Sequence, residues 1–237
     1  MSNEIMLIIC LLGTYSLVLV WFYLFGEKGL LTFSAIATVA ANIEVMIMVH
    51  AFGMEQTLGN VLFASTFLIT DILSETAGKK QAQTAVNIGI ATSITFILIS
   101  QSWLLYTPAE SDFAFSSIQT IFSNTPRLMI ASLLVYAITQ KFDVWAYHKI
   151  WAWTEKKFQD KKKGLWLRNN GSTLMSQFFN TLLYTFAAFA GIYSLSTLIN
   201  IVISSYVIFI VTSLADTPAV YLARKIHTMK MENKLAA

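Results

Sequence analysis

Seven largely apolar runs recur along the chain, at residues 5–25, 30–50, 58–75, 85–106, 127–147, 172–193 and 197–222. Each is close to the roughly 20 residues that a helix needs to cross the hydrocarbon layer of a bilayer. Hydrocarbon offers no partner to a backbone N–H or C=O, so only helices or closed barrels can span it. Barrel strands are about ten residues long and alternate apolar with polar positions, which these runs do not. Only 12% of the 237 residues are charged, against about 25% in an average soluble domain. The expected fold is therefore all-α, a polytopic membrane helical bundle of about seven transmembrane helices. The break Gly26-Glu27-Lys28-Gly29 reads as a tight helical hairpin between the first two. The first run lacks the basic leader and small-residue cleavage pattern of a signal peptide, so it is expected to remain as a helix.

Charge tests this division, because cytoplasmic loops collect Lys and Arg. Alternate connections hold Lys28, then Lys79 and Lys80, then Lys149, Lys156, Lys157, Lys161, Lys162, Lys163 and Arg168, and the tail holds Arg224, Lys225, Lys230 and Lys234. The opposite connections hold Glu55, Glu110 and Asp112, with Arg127 as the exception, while Lys141 falls inside the fifth run. The pattern predicts an outside N-terminus and a cytoplasmic C-terminus. It also accounts for the net charge of +3 without a nucleic-acid partner. The single cysteine, Cys10, allows neither an intrachain disulfide nor a thiolate metal site. His50, His148 and His227 are far apart in the topology, so no metal site is expected. Without a Walker-type sequence or a catalytic triad, the chain is read as neither an ATPase nor any other enzyme, and no cofactor is expected.

The polar residues inside the runs carry the functional signal, since a charge at the centre of a membrane helix costs about 2.5–3.5 kcal/mol even on the mildest scale. Asp71 and Glu75 lie four apart on one helix face, with Asp71 roughly 12 Å from the Lys79 and Lys80 boundary. The bland alternative for Glu75 is a local salt bridge to Lys79. Asp216, about 12 Å from Arg224, matches Asp71 in depth, and Pro218 beside it is expected to kink the seventh helix. Equal depth suggests a cavity shared by the two acids. Thr173, Gln177, Asn180 and Tyr184 form one stripe of the sixth helix, a wall for a ligand or a seam of interhelical hydrogen bonds. Asn42 and Glu44 of the second run are further buried-site candidates. Tyr136, Gln140, Asp143 and Tyr147 repeat the spacing in the fifth run, but their position beside Lys141 suggests an interfacial anchor.

Four segments can be read together: FLITDILSETAGKK at 67–80, PRLMIAS at 126–132, LWLRNNGSTLMSQFFNTLLY at 165–184 and DTPAVY at 216–221. In this order and spacing they resemble the queuosine precursor transporter family, also described as a vitamin uptake transporter group, over approximately residues 30–224. The resemblance implies uptake of a 7-deazaguanine base or queuine across the cell inner membrane. It also implies a six-helix core similar to the substrate-binding components of energy-coupling-factor transporters, with energising subunits as potential partners. Residues 1–29 would then be an additional N-terminal helix and residues 225–237 a basic tail. Two departures stand out: Ala77 precedes Gly78 where an aromatic is frequent, and Asn180 occupies a position that commonly holds Asp.

A guanine-like edge presents N–H and amino donors and a carbonyl acceptor, which carboxylates and amides can complement. The expected substrate contacts are accordingly Asn42, Glu44, Asp71, Glu75, Gln177, Asn180 and Asp216, with Arg168 at the start of the sixth helix as a weaker candidate. Three other functions compete with this one. They are uptake of another vitamin-like heterocycle, an intramembrane hydrolase using Asp71 and Asp216 as a carboxylate pair, and a purely structural membrane subunit.

Overall fold

The computed structural model describes residues 2–123 and 126–236. Met1 and Ala237, the limits of the expected first helix and tail, lie outside the described residues, as do the side chains of Glu55 and Lys234 from the charge pattern. The elements in chain order are α1 (Asn3–Glu44), β1 (Met48–Ala51), β2 (Met54–Thr57), α2 (Gly59–Thr76), α3 (Lys79–Trp103), α4 (Phe115–Ser123), α5 (Pro126–Phe158), α6 (Leu165–Phe189) and α7 (Leu195–Ala236).

α1 is two helical arms. At Gly26 the backbone adopts φ 63° and ψ −143°, a left-handed excursion that glycine makes without a Cβ clash. The consequence is visible at the far ends of the arms. Asn3 Nδ2 donates to the carbonyl of His50 at 2.9 Å and Phe52 N–H donates to Glu4 Oε1 at 3.2 Å. A straight helix of this length would hold those groups tens of ångströms apart. Trp21 and Phe33 meet edge-to-face across the bend at 5.7 Å. The expected hairpin is therefore present, and with α2, α3, α5, α6 and α7 it makes seven long helical segments. Four helices, α1, α3, α5 and α7, are long and apolar enough to cross a membrane by length and composition. α2 and α6 carry more polar residues.

Two boundaries differ from expectation. The second run was expected to stay helical to residue 50, but helix ends at Glu44 and residues 48–57 form an antiparallel hairpin with Met48 opposite Thr57. Its turn, Phe52-Gly53, has both φ values positive, as the tight turns matching strand twist require. At the other end of the molecule, α5 continues to Phe158, well past the expected limit at residue 147.

The molecule is apolar outside and polar within. Leu12, Leu24, Leu98, Ile138 and Val211 are exposed, while Asp71, Gln140, Asp143, Asn169, Gln177 and Asp216 are buried. That inversion of a soluble protein is what a lipid environment demands. An apolar core that includes Leu11, Val18 and Phe22 of the first arm, Leu68 and Ile72 of α2 and Val220 of α7 ties the N-terminal arm to the rest. Tyr15 OH also donates to the Thr212 carbonyl at 3.1 Å.

Basic residues collect at one end, with Gly26, the α2–α3 junction, the α5–α6 loop and the later turns of α7; the β-hairpin lies at the other. Arg127, the exception to the charge pattern, sits at the hairpin end and donates to the carbonyls of Ala187 and Ala190 at 3.1 and 2.8 Å. It closes the C-terminus of α6, where a cation complements the helix dipole.

Candidate functional site

A polar column runs from the hairpin end to the basic end, and α6 is its spine. Asn169, Thr173, Ser176, Gln177, Asn180 and Tyr184 recur at intervals of three and four, so they share one face. α2 and α5 bring Thr66, Thr70 and Asp71, and Tyr136, Gln140, Asp143 and Tyr147, toward the same axis.

In the half nearest the hairpin is a partly open cavity. Its walls hold Asn42, Asn60, Tyr136, Asn180, Tyr184 and Phe209, with Phe63 also facing it. Phe63 meets Tyr136 and Phe209 edge-to-face at 6.0 and 6.1 Å, which gives the cavity an aromatic lining suited to a flat ring. The amides supply both hydrogen-bonding senses. Asn42 commits one N–H to the Thr38 carbonyl at 2.8 Å, which leaves its carbonyl oxygen and its second N–H. Asn60 accepts from Thr57 at 3.3 Å, while its Nδ2 is buried without a partner, an unused donor on the wall.

Beyond the cavity, Gln140 closes the column by donating to Thr66 Oγ1 at 2.7 Å and accepting from Thr70 Oγ1 at 3.4 Å. Three carboxylates follow, each from a different helix and each bound to its own residue of α6. Asp71 of α2 accepts from Thr173 Oγ1 at 3.2 Å, Asp143 of α5 from Ser176 Oγ at 2.7 Å, and Asp216 of α7 from Asn169 Nδ2 at 2.7 Å. The Thr217 hydroxyl accepts from Asn170 Nδ2 at 2.8 Å and extends the seam between α6 and α7.

The basic end is closed by an ion network. Arg168 pairs with Glu75 at 2.7 Å through side chains only 0% and 4% exposed, and Arg224 reaches the other carboxylate oxygen at 3.3 Å. Tyr147 OH donates to Glu75 Oε2 at 3.0 Å, and the Arg168 guanidinium lies 4.2 Å from the Trp151 ring centre. Four helices, α2, α5, α6 and α7, are thus tied at one carboxylate.

The eight residues expected to contact substrate separate into groups. Asn42 and Asn180 line the cavity. Asp71, Gln177 and Asp216 are buried in the column beyond it, and Glu75 and Arg168 are spent on each other at its far end. Glu44 is the last residue of α1 and is not among the cavity residues. Asp71 and Asp216 do come together, but bound to neighbouring turns of α6 rather than on a cavity wall. Glu75 is salt-bridged, to Arg168 and Arg224 instead of Lys79. Sequence reasoning set Gln140 and Asp143 at the interface, whereas both are fully buried at the centre. It also missed Asn60 and Asn169. For Gln140 and Asp143 the signal was present in the three- and four-residue spacing of the α5 stripe.

One wall depends on a missing side chain. A Cβ added at Gly89 of α3 would lie 2.8 Å from Tyr136 Cζ, closer than real Cβ contacts come. Because Tyr136 is a rigid ring, Gly89→Ala should displace it into the cavity and lower stability by about 1–3 kcal/mol, the usual cost of overpacking. Thermal unfolding of the purified protein with and without ligand checks both effects.

Residues 57–223 match the family described as "Putative vitamin uptake transporter". The chain is 38% identical over 211 residues to the protein called "Probable queuosine precursor transporter" in Bacillus subtilis (strain 168), an alignment covering 89% of this chain and 90% of that protein. No solved structure matches.

Proposed function

The chain belongs to the vitamin uptake transporter family, and on that premise we propose that it imports a queuosine precursor, a 7-deazaguanine base or queuine, through the cavity between α1, α2, α5, α6 and α7. The observation that carries this reading is the chemistry of the cavity wall. A guanine-type edge needs acceptors for its ring N–H and amino group and a donor for its carbonyl. The Asn42 carbonyl, the Asn180 amide and the unpaired Asn60 Nδ2 meet that need, and Phe63, Tyr136 and Phe209 flank the ring. In this reading all seven helical segments span the inner membrane, the hairpin end faces outward and the basic end faces the cytoplasm. The cavity is then poised to receive substrate from outside, and the Glu75–Arg168–Arg224 network is the closed inner gate. A six-helix core after the first arm, like that of energy-coupling-factor binding components, is consistent with the arrangement.

Uptake of another vitamin-like heterocycle is the second reading, favoured by one observation: amides rather than a carboxylate line the cavity, with Asn180 where Asp is common in the resembling family. Expression in a bacterium unable to make queuosine precursors separates the two. Restored queuosine in tRNA on feeding a precursor base is the expected result. Growth-medium precursor left untouched, alongside thermal stabilisation of the purified protein by a different vitamin, would move the assignment to that compound.

A further inference from the structure

The three carboxylates of the column are more numerous than binding a neutral heterocycle requires, and they lie outside the cavity wall. Each has one donor from α6, and acceptors outnumber donors around them. Asp71 Oδ1, Asp143 Oδ2, Asn169 Oδ1 and Gln177 Oε1 are all buried without a hydrogen-bond partner, and all four are acceptors. The other unpartnered buried polar atoms among the described residues are Asn60 Nδ2 on the cavity wall, His148 Nε2 of α5 and the hydroxyl of Ser74 one turn beyond Asp71, which has one proton to give and cannot serve four oxygens. Nor does a fixed cation serve them. From the surrounding elements the titratable groups that face these acids are Tyr15 of α1, Glu75 of α2 and Tyr147 of α5, none of them a cation. Arg168 and Arg224 are engaged by Glu75, and no ion pair among the described residues includes Asp71, Asp143 or Asp216.

A buried surplus of oxygen acceptors calls for a positive charge delivered from solution. A metal ion would draw its oxygens to one point. Here the four unpaired oxygens attach to positions that span roughly 12 Å along α6, from Asn169 to Gln177. No three acidic or imidazole side chains among the described residues converge as a metal site would require. Protons, which bind one carboxylate at a time and turn it into a donor to a neighbouring oxygen, fit this spread.

We propose that Asp71, Asp143 and Asp216 are a proton-binding relay lying between the substrate cavity and the Glu75–Arg168 gate, and that proton entry down the relay drives substrate uptake. The coupling rests on the transport reading above; the proton site itself does not. Each step transfers one H⁺ between carboxyl groups or the hydroxyl and amide groups bridging them, with no bond to carbon made or broken. A relay placed between cavity and gate would let a proton gradient energise uptake directly.

Two measurements on the purified full-length protein test this. Infrared difference spectra during a pH titration should show carboxylic C=O absorption that diminishes in Asp71→Asn and again in Asp71→Asn/Asp143→Asn. Both substitutions keep side-chain shape, and size-exclusion profiles identify any variant that fails to fold; for such a variant Asp143→Asn alone supplies the comparison. In proteoliposomes holding only this protein, a one-unit inward pH gradient should accumulate labelled queuine about tenfold per coupled proton. The carboxylate variants should lose that accumulation. Absence of a carboxylic band, or a band unchanged in both variants, overturns the proton site. Accumulation that follows a sodium gradient, or that persists in the variants, overturns the coupling. If the native protein moves neither queuine nor a labelled 7-deazaguanine base, the proposed substrate fails, and the infrared result still decides the proton site.

Discussion

Arg168→Met should destabilise the protein by about 3–5 kcal/mol, the cost of leaving one member of a buried ion pair without its partner. The reason lies in the geometry around Glu75. Its carboxylate receives three contacts from Arg168, one from Tyr147 and a longer one from Arg224. Arg224 is 29% exposed and also donates to the Lys162 carbonyl, so it cannot replace the enclosed guanidinium. Glu75→Gln should be nearly as costly, because Arg168 is then a buried cation that faces a neutral amide, the Lys163 carbonyl and the Trp151 ring with no counter-charge. The double variant Glu75→Gln/Arg168→Met removes both charges and should recover a substantial part of the loss. A double-mutant cycle on detergent-solubilised protein, read as unfolding free energy, gives the coupling directly. Additive losses with no recovery would show that the two charges do not depend on each other. If the network is the inner gate, the double variant should also leak substrate across proteoliposomes faster than the native protein.

The segments that hydropathy could identify are the helical ones, and the places where it failed have physical causes. Residues 45–49, Val-Met-Ile-Met-Val, are as apolar as the helix before them, and a short apolar stretch reads equally as helix end or strand. What decides is the Phe52-Gly53 turn, a weak signal beside the Asn-Gly or Asp-Gly pairs that announce hairpins. The depths of Asp71 and Asp216 followed from helix rise alone, and both acids are buried as that count implied. Periodicity placed Gln140 and Asp143 on one face of α5 but could not say which way the face turned. Lys141, exposed on the opposite side, was taken to mark the whole turn as interfacial. The partner of Glu75 was sought four residues away because local pairs are all that spacing can show. Its actual partners are 93 and 149 residues distant, brought together only by the packing of α2 against α6 and α7.

Asn180→Leu tests where substrate sits. Asn180 is 7% exposed and lines the cavity from α6, one turn from the buried Gln177. Leucine keeps its approximate size and removes both its donor and its acceptor. A bound base would then leave its own polar groups buried and unmatched, a loss of about 1.5–3 kcal/mol or roughly 10- to 100-fold in affinity. Asn180→Asp is the informative partner substitution, because it keeps the acceptor and deletes the donor. A ligand presenting two adjacent N–H groups to this position should tolerate the change, whereas one presenting a carbonyl should lose affinity nearly as severely as with leucine. Binding of labelled precursor bases by the purified variants, across a panel that includes a base lacking the 2-amino group, therefore reports the orientation of the ring as well as its location. Native affinity in Asn180→Leu would remove the cavity from the substrate path and leave the acid-lined column as the place to look.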